Sequence, residues 1–131
     1  MLRALIVEDD FASRKILQAL LMPFGECDIA INGDEALEAF SSALGQGARY
    51  NLVCLDIGMP GMNGHEVLTE IRSDEEAAGI LGLDRTKVVM TTASSDRNDI
   101  RAAFHSQCDA YLVKPIRNEM LLEALTNLGL I

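Results

Sequence analysis

The chain has 131 residues, 49% hydrophobic and 24% charged, enough to bury one core and unlike the composition of a disordered segment. Eleven Lys and Arg against 20 Asp and Glu give a net charge of −9, which opposes binding to a phosphate backbone, and no basic stripe offsets it, so direct nucleic-acid binding is not expected. No apolar run reaches the ~18 residues of a membrane-spanning helix, and the short apolar start runs into Glu8-Asp9-Asp10 without a cleavage site, so the chain reads as cytoplasmic, with no membrane insertion.

A β-branched, apolar run predicts a first strand over 4–7. Ile16, Leu17, Leu20 and Leu21 then follow the spacing of one helix face. A second strand is predicted over 28–31, and Ala36, Leu37 and Phe40 mark a second helix. The third strand is predicted over 52–55, with Val67, Leu68 and Ile71 marking the helix after it. Residues 72–87, with Asp74, Glu75, Glu76, Gly79 and Gly82, read as an extension of that helix followed by a solvated loop. A fourth strand is expected over 87–91, a fourth helix face at Ile100, Ala103 and Phe104, and a fifth strand over 110–113. Leu121, Leu122, Leu125 and Leu128 mark the last helix.

Strict alternation of five strands, each read as buried on both faces, with five helices implies a doubly wound α/β fold with helices on both sides of a parallel sheet. The chain is read as one domain over 1–131 that stands alone, because it ends soon after Lys114-Pro115; any output would pass through another molecule. Cys27, Cys54 and Cys108 are odd in number and widely spaced, and read as buried, reduced thiols.

In an open parallel sheet, ligands bind outside the carboxyl ends of the strands. Those ends carry Glu8-Asp9-Asp10, Asp56, Thr91-Thr92 and Lys114-Pro115. Two carboxylates about 5 Å apart repel by roughly 3 kcal/mol at an effective dielectric of about 20. A cluster of Glu8, Asp9 and Asp56 therefore calls for a proton, an amine or a cation, and hard oxygen ligands of this kind suit Mg²⁺, with Mn²⁺ an alternative. Asp10 has a second reading, as the cap of the helix starting near Phe11. Asp56 ends an apolar strand and is followed by the Gly- and Pro-rich 57–64 loop, which would hold the acid at an exposed edge. A carboxylate so placed can act as a nucleophile toward phosphorus.

Taken together, Ile6-Val7-Glu8-Asp9-Asp10, Leu55-Asp56-Ile57-Gly58-Met59-Pro60-Gly61-Met62-Asn63-Gly64, Thr92-Ala93 and Tyr111-Leu112-Val113-Lys114-Pro115 resemble the receiver domain of two-component response regulators over nearly the whole chain. The resemblance implies a flavodoxin-like fold with strand order 2-1-3-4-5. It implies Asp56 as phosphoacceptor, Asp9 as a direct Mg²⁺ ligand and Glu8 as a ligand through water, with Asp56 and the backbone carbonyl of Gly58 completing the protein's share. Lys114 would pair with the acids and later with the phosphoryl oxygens, aimed by a cis peptide before Pro115. Thr92 would be the switch hydroxyl, with Thr91 its rival on the opposite face of the same strand, and Tyr111 the aromatic that turns with it.

The same resemblance implies a sensor histidine kinase or phosphotransfer protein as donor. A downstream protein would bind the face of the fourth helix, fifth strand and fifth helix. The chain would be a signalling switch rather than an enzyme, catalysing its own phosphorylation and dephosphorylation alone. The residues depart from the family pattern in a long loop before the fourth strand, in Lys87 where a proline is usual, and in Cys108 where a glycine is frequent. His65 and His105 read as surface or partly buried residues. Gly58 and Ser94 are small and would leave the acyl phosphate open to water. The alternatives are a receiver fold that binds partners without phosphate, an FMN carrier, which Glu8-Asp9-Asp10 would repel, and an aspartyl-phosphate phosphatase, which would want an acid where Gly58 stands.

Overall fold

The computed structural model describes residues 1–93, 101 and 107–131. The expectations for Ser94, the helix face Ile100, Ala103 and Phe104, and His105 lie outside the described residues. Strands β1 (Leu2–Val7), β2 (Gly25–Ala30), β3 (Leu52–Asp56), β4 (Lys87–Thr92) and β5 (Ala110–Val113) form one parallel sheet of order β2-β1-β3-β4-β5. This is the flavodoxin-like order that the resemblance implied.

The central strands are apolar because both their faces are covered. β3 is buried along its whole length, and β1 and β4 are buried except for Arg3 and Lys87. β2 corrects the expectation of burial on both faces. As an edge strand it alternates half-buried and exposed residues up to Ala30, and it begins at Gly25, so Ile31 falls beyond it and is exposed. The run of β-branched residues marked only the end of that strand. At the other edge, only Leu112 of β5 is buried.

Helices α1 (Phe11–Leu21), α2 (Gly33–Gly45), α3 (Gly64–Ala77) and a C-terminal helix (Asn118–Asn127) cover the sheet. On one face Leu5, Val53, Leu55 and Met90 pack with Phe40 of α2 and Val67, Leu68 and Ile71 of α3. On the other, Ala4, Ile6, Cys54 and Val89 pack with Leu17 and Leu21 of α1 and Leu121 and Leu125 of the C-terminal helix. Ile16, expected on the buried face of α1, is exposed. Asn32 and Asn63 cap α2 and α3 through their side chains, Asn63 in a reciprocal capping box with Glu66. The three cysteines are free; Cys54 and Cys108 are buried and Cys27 is half-buried on the edge strand. Burial pushes the Cys54 thiol up to about 12, so it is inert at neutral pH.

Residues 72–87 also differ from the solvated extension expected of them. Helix α3 runs to Ala77 and a short 3-10 turn follows at Gly82–Asp84, but Arg72 and Glu75 are buried. Arg72 donates through Nη1 to Glu75 Oε1 at 2.6 Å and to the Thr86 carbonyl at 2.8 Å, and through Nη2 to Asp109 Oδ2 at 2.9 Å. Glu75 Oε2 accepts from the Thr86 N–H at 2.7 Å, and Asp109 Oδ2 from the Val88 N–H at 2.8 Å. The start of β4 and the turn before β5 are thus tied to α3. Arg72 also donates from Nε and Nη2 to the carbonyl of Gln107, whose φ of 73° is left-handed. The position that needs a glycine's freedom is therefore Gln107, one residue before the Cys108 singled out from the sequence. Removing one member of a buried charge network leaves the others desolvated and unpaired, at a cost of about 3–5 kcal/mol. Arg72→Met is expected to lose stability on that scale in urea denaturation; a loss below about 1 kcal/mol would show the network to be worth no more than an exposed pair.

Candidate functional site

The acids of β1 and β3 meet because the two strands are neighbours in register. Val7 pairs with Leu55, and one step further Glu8 stands against Asp56 at the carboxyl edge. Glu8 is fully buried and Asp56 is 6% exposed, whereas Asp9 is exposed. Ligand oxygens of Glu8, Asp9 and Asp56 all lie within 4.8 Å of one another. Lys114, reaching back from the end of β5, donates to Glu8 Oε1 at 2.5 Å and lies 3.5 Å from Asp56 Oδ2. The bond from Lys114 to Pro115 is cis.

The charges in this cluster do not balance, and the titration of Glu8 reflects it. Burial pushes its carboxyl up from the ordinary 4.5 to about 7; the hydrogen bond from Lys114 pulls it back in part, while Asp56 adds to the rise. Burial works against the Lys114 ammonium, but the hydrogen bond to Glu8 and the charge of Asp56 outweigh it, and its pKa stands above the usual lysine value. Three crowded carboxylates, two of them buried, form a donor set that fits a hard divalent cation such as Mg²⁺.

Backbone groups fix the acids. The Asp10 N–H donates to Glu8 Oε2 at 3.2 Å, and the Gly58 N–H to Asp56 Oδ1 at 3.1 Å. Asp10 itself caps α1, its side chain accepting from the Ser13 N–H at 2.9 Å. The 57–64 loop closes where the Gly64 N–H donates to the Ile57 carbonyl. A Cβ on Gly64 would lie 2.6 Å from the Asp56 carbonyl oxygen and 2.7 Å from Ile57 Cα, so only glycine lets α3 start this close beneath the acid.

Structure thus brings together Glu8, Asp9, Asp56 and Lys114, with Gly58 holding Asp56 by its N–H. Thr92 is the last residue of β4, buried and paired in register with Val113. Tyr111 pairs with Met90 and packs on the face of the sheet covered by α2 and α3. Since Met90 and Thr92 are two apart on one strand, Thr92 and Tyr111 share that face, while Thr91 faces the other side. Two contributors escaped the sequence reading. Arg14 donates to the carbonyls of Glu8 and Asp9 at 3.2 and 3.4 Å, a link signalled only by a basic residue in the turn after the cap. The steric demand on Gly64 had no sequence signal beyond its place at the end of a Gly-rich loop.

The sequence profile of the response regulator receiver domain matches residues 4–126. The regulatory protein VanRB of Enterococcus faecalis is 37% identical over 123 residues, 93% of this chain; the chain spans half of VanRB's length. Among solved structures, the chemotaxis protein CheY4 of Vibrio cholerae superposes with a TM-score of 0.79 at 26% identity, covering 98% of each chain. The receiver domain of the histidine kinase CKI1 of Arabidopsis thaliana, complexed with Mg²⁺ and BeF3⁻, superposes with a TM-score of 0.79 at 27% identity, covering 95% of this chain and 89% of that one.

The raised Glu8 carboxyl has a consequence for stability. A group whose pKa is higher folded than unfolded stabilises the fold below its unfolded value, and that stability is lost as pH rises through the folded value. In the presence of a chelator, the stability of the wild type relative to Glu8→Gln, read by denaturant titration at each pH, is expected to fall from about pH 4.5 to about pH 7 and to level off above. A difference that is flat or rises across that window would contradict the electrostatic account of the site.

Proposed function

The chain belongs to the response regulator receiver domain family, and from that premise we propose that it accepts a phosphoryl group on Asp56 from a phosphohistidine donor, with a divalent cation bound beside it. The observation that carries the reading is the meeting of Glu8, Asp9 and Asp56 within 4.8 Å under a single lysine ammonium. In the transfer an Asp56 carboxylate oxygen attacks phosphorus, the phosphorus–nitrogen bond of the donor breaks, and the histidine leaves. The Gly58 N–H holds the Asp56 carboxylate in place, and the Lys114 ammonium moves from the acids toward the phosphoryl oxygens.

Glu8, Asp9 and Asp56, with the Gly58 carbonyl, would hold Mg²⁺ or, in its place, Mn²⁺. The ion supplies charge neutralisation for the phosphoryl oxygens. The CKI1 receiver domain binds Mg²⁺ together with BeF3⁻, which supports this assignment. That receiver is part of a histidine kinase, which supports a histidine kinase or phosphotransfer protein as donor. On this reading the protein acts on itself and turns over no separate substrate.

The new charge, about −1.5 to −2, would shift Thr92 and Tyr111 and with them a partner-binding face. Tyr111 lines a groove of about 680 Å³ between β5 and the C-terminal helix, beside Leu112, Met120, Ala124 and Leu128, where a downstream protein would read the change. The fourth-helix part of that face lies outside the described residues.

Incubation with acetyl phosphate and Mg²⁺ is expected to raise the intact mass by one phosphoryl group. The gain should disappear in Asp56→Asn and on chelation. A gain that survives Asp56→Asn, or none in the wild type, would overturn the proposal. A second outcome concerns water. A Cβ on Gly58 would sit in ordinary contact, 3.9 Å from Asp56 Oδ1, so a side chain begins there without a clash, and a longer one would lie over the acyl phosphate. Gly58→Gln is expected to lengthen the phosphoryl lifetime several-fold over a short-lived wild type. An unchanged lifetime, or a wild type that keeps its phosphate for many hours at neutral pH, would contradict this.

A further inference from the structure

Thr91 carries a hydroxyl that the phosphoacceptor site as described does not use. The residue is 1% exposed, and its Oγ1 has no hydrogen-bond partner among the described residues. A buried hydroxyl left unpaired costs free energy that an isosteric valine would not, so its presence calls for a role.

Register places it beside the reacting acid. β3 and β4 pair Asp56 with Thr91, and β4 and β5 pair Thr91 with Leu112. Paired residues of a parallel ladder share a face, so Glu8, Asp56 and Thr91 form one row along the carboxyl edge, on the side packed by α1 and the C-terminal helix. Thr92 belongs to the opposite face. Lys114 follows β5, yet its ammonium reaches Asp56 on β3 and Glu8 on β1, so its side chain crosses β4 on the way. Of the two Asp56 oxygens, Oδ1 accepts from the Gly58 N–H and Oδ2 faces Lys114 at 3.5 Å. Lys114 also borders a cavity of about 330 Å³ lined by Glu8, Leu17 and Ile116, which leaves its chain room to move.

We infer that Thr91 is a positioning residue of this site, whose hydroxyl donates to the Asp56 side chain when the Lys114 ammonium leaves Oδ2 for an incoming phosphoryl group. The inference rests on the phosphoacceptor reading of Asp56. Neighbouring strands lie about 4.8 Å apart, so rotation about one side-chain bond brings a hydroxyl on this row within hydrogen-bonding reach of the adjacent carboxyl. The hydroxyl is then unpaired in the resting state and satisfied in the phosphorylated one, which biases the chain toward the latter.

Wild type, Thr91→Val and Thr91→Ser are compared with Mg²⁺ and acetyl phosphate, reading phosphoryl occupancy and its decay by intact mass, and stability without donor by urea denaturation. Thr91→Val is expected to be at least as stable as the wild type, yet to lose about two- to tenfold in the ratio of phosphorylated to unphosphorylated protein, the worth of one hydrogen bond. Thr91→Ser, which keeps the hydroxyl, should stay close to the wild type. A valine variant that phosphorylates and decays like the wild type overturns the inference, as does a serine variant that falls as far as valine. Failure of the parent reading looks different: the wild type itself gains no mass.

Discussion

One ammonium, Lys114 Nζ, stands against three carboxylates at the carboxyl edge of the sheet. The edge exists in this form because β1 and β3 are adjacent and in register, which places a buried glutamate and a nearly buried aspartate side by side. Burial strengthens both the attraction to Lys114 and the repulsion among the acids. Burial, with Asp56 adding to it, pushes the Glu8 carboxyl up to about 7 against the pull of Lys114. The fold thus keeps a pocket with an excess of negative charge, which a divalent cation would relieve.

Much of the scaffold serves to keep that deficit in place. The Gly58 N–H and the Asp10 N–H each hold an oxygen of a buried acid, so the carboxylates cannot turn away from one another. Gly64 lets α3 begin against the backbone of Asp56 and Ile57, and the capping box of Asn63 and Glu66 fixes the direction in which the helix leaves. Val67, Leu68 and Ile71 then lock α3 onto the sheet. The loop after Asp56 is short of regular structure but tied at both ends, and this allows an exposed edge to carry fixed geometry.

The strand order came from the family resemblance alone, but the parallel sheet was legible because the central strands are continuous apolar runs and the chemistry-bearing residues fall where such runs stop. Glu8, Asp9, Asp56 and Lys114 could be placed together on that basis alone. Asp10 was readable as a cap because a short acid before a helix has a local job. Legibility failed where tertiary placement, rather than local pattern, sets burial. The edge strand β2 carries charges at Glu26 and Asp28 and showed only its last apolar residues. Arg72 and Glu75 fell within a segment read as solvated, because their partners Thr86, Gln107 and Asp109 are distant in sequence. The left-handed backbone of Gln107 could not be told from that of Cys108 without coordinates.

Among the described residues, two buried charge clusters differ in the cation that holds them. At the amino ends of β4 and β5, Arg72 meets Glu75 and Asp109 with a planar fork whose donors are each engaged; the Thr86 N–H takes the other oxygen of Glu75, and the Val88 N–H shares Asp109 Oδ2 with Arg72. Guanidinium is always charged and its geometry admits few arrangements. At the carboxyl ends, a lysine presents a point charge on a flexible stem, close to one acid and at looser range from another. Such a cation can leave one oxygen for the next without unpacking the core. A fork in that place would lock the acids into a structural pair, whereas an ammonium on a flexible stem would leave them available for the chemistry proposed above.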